Sequence, residues 1–116
     1  MIAPNLKNMN DLTLKQLTEL ILKQARVKNF GTKPDEIDVP EKIALIHSEV
    51  SEAYEAYRHK NFEGKDGFNE EVADAITRLL HLAGVMGVDI ENEILKKLEN
   101  NQSRDWDWDK MNEKHS

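Results

Sequence analysis

The sequence predicts an all-α protein: a bundle of four helices, completed by pairing with copies of itself. Three observations carry this. Apolar residues recur at three- and four-residue spacing in four separate stretches. Pro and Gly are scarce, 3 and 5 in 116 residues, and most of them fall between those stretches. No run of alternating β-branched residues suggests a strand. At this length the chain is read as one domain, with a core over about residues 12–104 and a polar tail over 105–116.

The first helix is expected from about Thr13 to Asn29, capped by Asp11 or Thr13, with a narrow apolar stripe of Leu14, Leu17, Ile21 and Ala25. "GTKPDEIDVP", Gly31 to Pro40, has a helix-stopping Gly, two prolines and several acids, and reads as a loop. Pro40 suits the start of a second helix running to about Lys60, because its missing N–H costs nothing there. The expected apolar face of that helix is Ile43, Ile46, Val50, Ala53, Tyr54 and Tyr57. A connector, "NFEGKDGF", leads into the third helix near Asn69. Val72, Ala75, Ile76, Leu79, Leu82, Ala83 and Met86 give that helix a broad buried face. "GVMGVD" breaks it, and Asp89 can cap the fourth, Ile90 to about Arg104, whose apolar residues are Ile90, Ile94, Leu95 and Leu98. The first and fourth helices are thinly apolar, so a homodimer or homotetramer is expected to complete the core.

Bulk composition removes several classes of function. Lys and Arg number 16 against 22 Asp and Glu, a net charge of −6, so no overall basic field attracts nucleic-acid backbones or anionic membranes. With no cysteine, thiolate zinc sites, disulfide scaffolds and cysteine nucleophiles are excluded. No apolar run approaches a membrane span and "MIAPNLKNMNDL" is too polar for a signal segment, so a soluble, cytoplasmic protein is expected.

The acids of the two central helices need explaining. On a helical wheel Glu49 and Glu52 share a strip with Leu45 and Ala56, and Glu49 borders the apolar face; Glu55 points elsewhere. Glu71 and Asp74 repeat the three-residue spacing on the third helix, with Arg78 one turn on. Antiparallel packing would bring four carboxylates into one small volume, where they must take up protons, stay wet or hold cations. Oxygen-only donors on rigid helices suit Mg²⁺, or Mn²⁺ in its place. The plain alternative is that these acids are solvated surface.

"EVSE", Glu49 to Glu52, followed by "EVAD", Glu71 to Asp74, resembles the E-x-x-E … E-x-x-D signature of the MazG-like all-α nucleoside triphosphate pyrophosphohydrolases. Lys97, Asn101 and Arg104 in "KKLENNQSR" repeat that family's last-helix spacing, so the resemblance spans about Pro40 to Arg104. It implies Mg²⁺-dependent hydrolysis of a (deoxy)nucleoside triphosphate to monophosphate and pyrophosphate, of the kind that clears unwanted nucleotides. Glu49, Glu52, Glu71 and Asp74 would be metal ligands and catalytic residues; Lys97, Asn101 and Arg104 would hold phosphate. The nucleobase would sit near the first helix and its following loop, with Arg26, Phe30 and Tyr54 as candidates to contact it. A phosphoribosyl-ATP pyrophosphatase or a dUTP/dCTP-preferring relative shares this chemistry, and a non-catalytic helical interaction module is the alternative outside it. His47 and His81 receive no role; Trp106 and Trp108 could cover an apolar patch on a neighbouring protomer or close over a nucleotide, and packing is the preferred reading because tryptophan's large apolar area is normally buried.

Overall fold

The computed structural model describes residues 11–103. Among these the chain is helical throughout, with four α-helices and no strand: α1 is Leu14–Val27, α2 Val39–Arg58, α3 Phe68–Val85 and α4 Ile90–Ser103. A single 3₁₀ turn, Pro34–Glu36, lies in the α1–α2 loop.

Local chemistry sets each boundary. Thr13 caps α1 in a reciprocal box: its Oγ1 accepts from the Gln16 N–H at 3.1 Å, and its own N–H donates to Gln16 Oε1 at 2.9 Å. The other candidate for this cap, Asp11, has no part in it. Asp38, two residues before Pro40, caps α2 by accepting from the Glu41 N–H. Asp89 caps α4 through the Asn92 N–H, as its place in the sequence suggests.

The first three helices end alike, in a left-handed residue after the C-cap. Asn29 (φ 59°), Lys60 (φ 57°) and Gly87 (φ 70°) occupy that position. In each case the next N–H returns to a carbonyl five residues back: Phe30 to Ala25, Asn61 to Ala56 and Val88 to Ala83. Asn29 therefore turns the chain out of α1, not the expected Gly31, which adopts its own positive φ of 90° two residues later.

α2 and α3 form an antiparallel pair. The end of α2 meets the start of α3 in an aromatic triangle of Tyr57, Phe62 and Phe68, with ring centroids 6.1–6.3 Å apart. Farther along, Arg78 Nε donates to Glu49 Oε1 at 3.1 Å. α1 packs on α3, where Gly84 faces Leu22: a Cβ at position 84 would lie 2.8 Å from Leu22 Cδ1. α4 joins the opposite end of α1, where the Leu14 N–H donates to Glu91 Oε1.

The packing differs from the wheel in one respect that matters. The buried residues of α2 are Ile46, Ala53 and Ala56; those of α3 are Glu71, Ala75, Leu80 and Val85. Of the expected α2 face, Ile43, Val50, Tyr54 and Tyr57 are exposed, as are Ile76, Leu79 and Met86 of α3 and Ile94, Leu95 and Leu98 of α4. Helix pairs approach closely where side chains are short. The Ala53, Ala56 and Ala75 strips permit that approach, and the bulkier side chains are left pointing outward. The seam along α2 runs 46, 49, 53, 56, so Glu49 lies within it and not at its border.

Candidate metal centre

The seam explains how the acids meet. Glu49 comes from the third turn of α2 and Glu52 from the next; Glu71 rises from the first turn of α3. One carboxylate oxygen from each lies within 4.8 Å of the other two. Glu49 is mostly covered, its side chain 13% exposed, and Arg78 neutralises it from α3. Glu52 is exposed. Glu71 is the unusual member: it is only 5% exposed, and its Oε2 is buried without a hydrogen-bond partner.

A buried carboxylate beside two others is electrostatically costly unless its charge is removed or matched. In the metal-free chain the carboxyl keeps its proton to higher pH. Hydrogen bonding to Glu49, burial, and the neighbouring Glu52 push the Glu71 carboxyl up from 4.5 to about 7. A divalent cation offers the other solution, and the donors suit one. All are carboxylate oxygens, one is orphaned and buried, and all stand on helices. Glu49, Glu52 and Glu71 are the residues that would hold it.

Asp74 stands one turn beyond Glu71, outside the three-oxygen group, and lines an adjoining cavity of about 510 Å³. Thr77, Arg78 and His81 continue its wall along α3; Ile21, Ala25, Lys28 and Phe30 contribute from α1 and its following residues, and Lys42 from the start of α2. His81 Nε2 lies 2.8 Å from the Gly31 carbonyl oxygen. A carbonyl only accepts, so Nε2 carries a proton and donates. This bond ties the loop that presents Phe30 to α3.

The remaining sequence-derived candidates separate. Of the three base-contact candidates, Phe30 lines the cavity, whereas Arg26 and Tyr54 do not. Tyr54 is exposed, with the Arg58 guanidinium 5.8 Å from its ring centre. Lys97 and Asn101 are exposed on α4 and are not on the cavity wall. Arg104, Trp106 and Trp108 lie outside the described residues. His47 is exposed on α2, and Glu55 pairs with Arg58 and His59 on the outer face, as its wheel position suggests. The reading of the sequence assigned no site role to Arg78, Lys28 or Lys42. Arg78 could have been found from its seven-residue spacing to Glu71, which puts both on one stripe. Lys28 and Lys42 carry no such signal, because they come to one cavity only when α1 and α2 both pack on α3.

No family model, no curated protein and no solved structure matches this chain.

Proposed function

We propose that the chain is a Mg²⁺-dependent nucleoside triphosphate pyrophosphohydrolase, dividing a nucleotide into its monophosphate and pyrophosphate. The observation that carries this reading is Glu71, buried with an unpartnered oxygen between Glu49 and Glu52. It is explained if a cation is the missing partner. The resemblance of "EVSE … EVAD" to the MazG-like signature supplies the reaction.

When bound, the ion supplies Lewis-acid polarisation of phosphate and water oxygens. The chain's own residues do the rest. Glu71 would hold the ion in its ionised form, Glu49 is held in register by Arg78, and Glu52 would meet the ion from the solvent side. Any cluster carboxylate not engaged by the ion can take the proton from the attacking water. Water adds at phosphorus as the α–β anhydride bridge breaks, leaving one phosphate ester and one pyrophosphate. Asp74 lines the adjoining cavity, one turn from Glu71. Lys97 and Asn101 enter this reading through a second protomer, for which the exposed Ile94, Leu95 and Leu98 beside them provide an apolar contact.

The test pairs binding with turnover. Mg²⁺ should raise the melting temperature of the wild-type chain, and Glu71→Gln should lose most of that shift while remaining helical by circular dichroism. A panel of standard, deoxy and modified triphosphates with phosphoribosyl-ATP should yield pyrophosphate from at least one. Melting that is indifferent to Mg²⁺, with no pyrophosphate from any member, would leave a helical interaction module with a solvated acid strip.

A further inference from the structure

Arg78 is a cation standing against a group of acids that has room for another. Its Nε donates to Glu49 Oε1 at 3.1 Å, and Glu49 is one of the three acids whose oxygens lie within 4.8 Å of one another. The other ion pairs among the described residues join neighbours on one helix and its cap, with both partners exposed. This pair crosses from α3 to α2 and ends on a side chain that is 13% exposed. A carboxylate so covered needs a positive partner, which a guanidinium or a bound ion can supply. Both cannot do so at full strength. A divalent ion on Glu49, Glu52 and Glu71 adds two positive charges beside a guanidinium already touching Glu49, and like charges at that range repel.

Two further observations mark Arg78 as displaceable. Its bond to Glu49 runs through Nε alone, not through the two-pronged fork that makes an arginine–carboxylate pair strongest. Its side chain is 41% exposed and lines the adjoining cavity, so the guanidinium has open space beside it. Glu49, by contrast, stands in the α2 seam between the buried Ile46 and Ala53, where packing limits its rotamers with or without Arg78.

We propose that Arg78 is a resident counter-ion of the acid centre, an internal competitor that neutralises Glu49 in the ion-free chain and lowers the centre's affinity for a divalent cation. It is a positioning residue and not a ligand. Neutralisation of Glu49 follows from the geometry of the pair; competition rests also on the metal reading given above. A purely structural arginine would behave in the opposite way. Its loss would weaken folding and ion binding together, whereas loss of a competitor weakens ion-free folding and strengthens ion binding.

The experiment is calorimetric titration of Mg²⁺ into the EDTA-treated wild type, Arg78→Gln and Arg78→Lys, with thermal melts of each in EDTA. In EDTA, Arg78→Gln should melt below the wild type. In a Glu49→Gln background the same substitution should cost much less, because no charge is left there to neutralise. Arg78→Gln should bind Mg²⁺ at least about threefold more tightly than the wild type, and added KCl should shrink that gain, as it does for charge effects between partly exposed groups. Arg78→Lys keeps the charge and should bind close to the wild-type value. Affinity in Arg78→Gln equal to or weaker than the wild type would overturn the competitor and leave the metal centre standing, as would a lysine variant that gains as much as the glutamine one. Binding of Mg²⁺ to none of these proteins would overturn competitor and metal centre together. An equal cost of Arg78→Gln with and without the Glu49 carboxylate would overturn the counter-ion. Binding to Arg78→Gln where the wild type takes up no ion would support competition in its strongest form.

Discussion

Glu71 is the residue on which the chemistry turns, and its proton gives a direct prediction. Folded, the carboxyl holds its proton to about pH 7; in the unfolded chain it loses it near 4.5. Its contribution to stability is therefore complete below about 4.5 and disappears as the pH rises through 7. In EDTA the melting temperature of the wild type should fall between pH 5 and pH 8 more steeply than that of Glu71→Gln, which cannot ionise. Mg²⁺ competes with that proton, so its affinity should rise over the same interval. Parallel melting profiles for the two proteins would show that the carboxyl titrates as an ordinary surface acid. The sequence could nominate this residue through its spacing from Asp74. It could not distinguish the two, because their difference is burial: Glu71 is 5% exposed, whereas Asp74 is open to the cavity.

Among the helices, the contact of α1 with α3 rests on Gly84. A methyl group there would meet Leu22 Cδ1 at 2.8 Å and Cγ at 3.0 Å, so Leu22 must shift or the helices must separate. Overpacking costs about 1–3 kcal/mol, while replacing a helical glycine returns at most about 0.5–1 kcal/mol, and Gly84 is the next-to-last residue of α3. Gly84→Ala should therefore destabilise the chain by roughly 1 kcal/mol in urea unfolding; an unchanged or higher midpoint would mean that Leu22 has room to move. Element positions were largely legible beforehand. The caps at Thr13 and Asp89, the loop from Gly31 and the break at "GVMGVD" follow from backbone chemistry within a few residues. The orientation of α2 was not legible. The periodicity of Ile43, Val50, Tyr54 and Tyr57 marks an apolar face, but it does not say which neighbour covers that face.

For the molecule as a whole, the apolar surface left outside is the dominant fact. Val50, Tyr54 and Tyr57 are 56–60% exposed, Ile76 and Leu79 50%, and no large side chain among the described residues is fully buried. Exposed apolar area of this kind is a docking surface or an aggregation hazard. Under the function proposed above, a second copy covers these residues and brings Lys97 and Asn101 to the acid centre. Wild-type chain should sediment as a dimer or larger assembly, and Leu79→Asp should weaken that assembly at least about tenfold while leaving the helices formed. A wild type that stays monomeric at every concentration would remove the partner and, with it, the proposed route of Lys97 to the phosphate. No helix among the described residues is long and apolar enough to cross a membrane, so a lipid bilayer spanned by these helices is not what covers this surface.

The sequence by itself determined the four helices, most of their ends and the two acid pairs, because periodicity, capping and turn chemistry act within a few residues. Only the tertiary structure decided which acids meet, that the α2–α3 seam is built from alanines, and that Lys28, Lys42 and Arg78 share a cavity. These depend on how close two backbones come and at what rotation, which small side chains at distant positions set together.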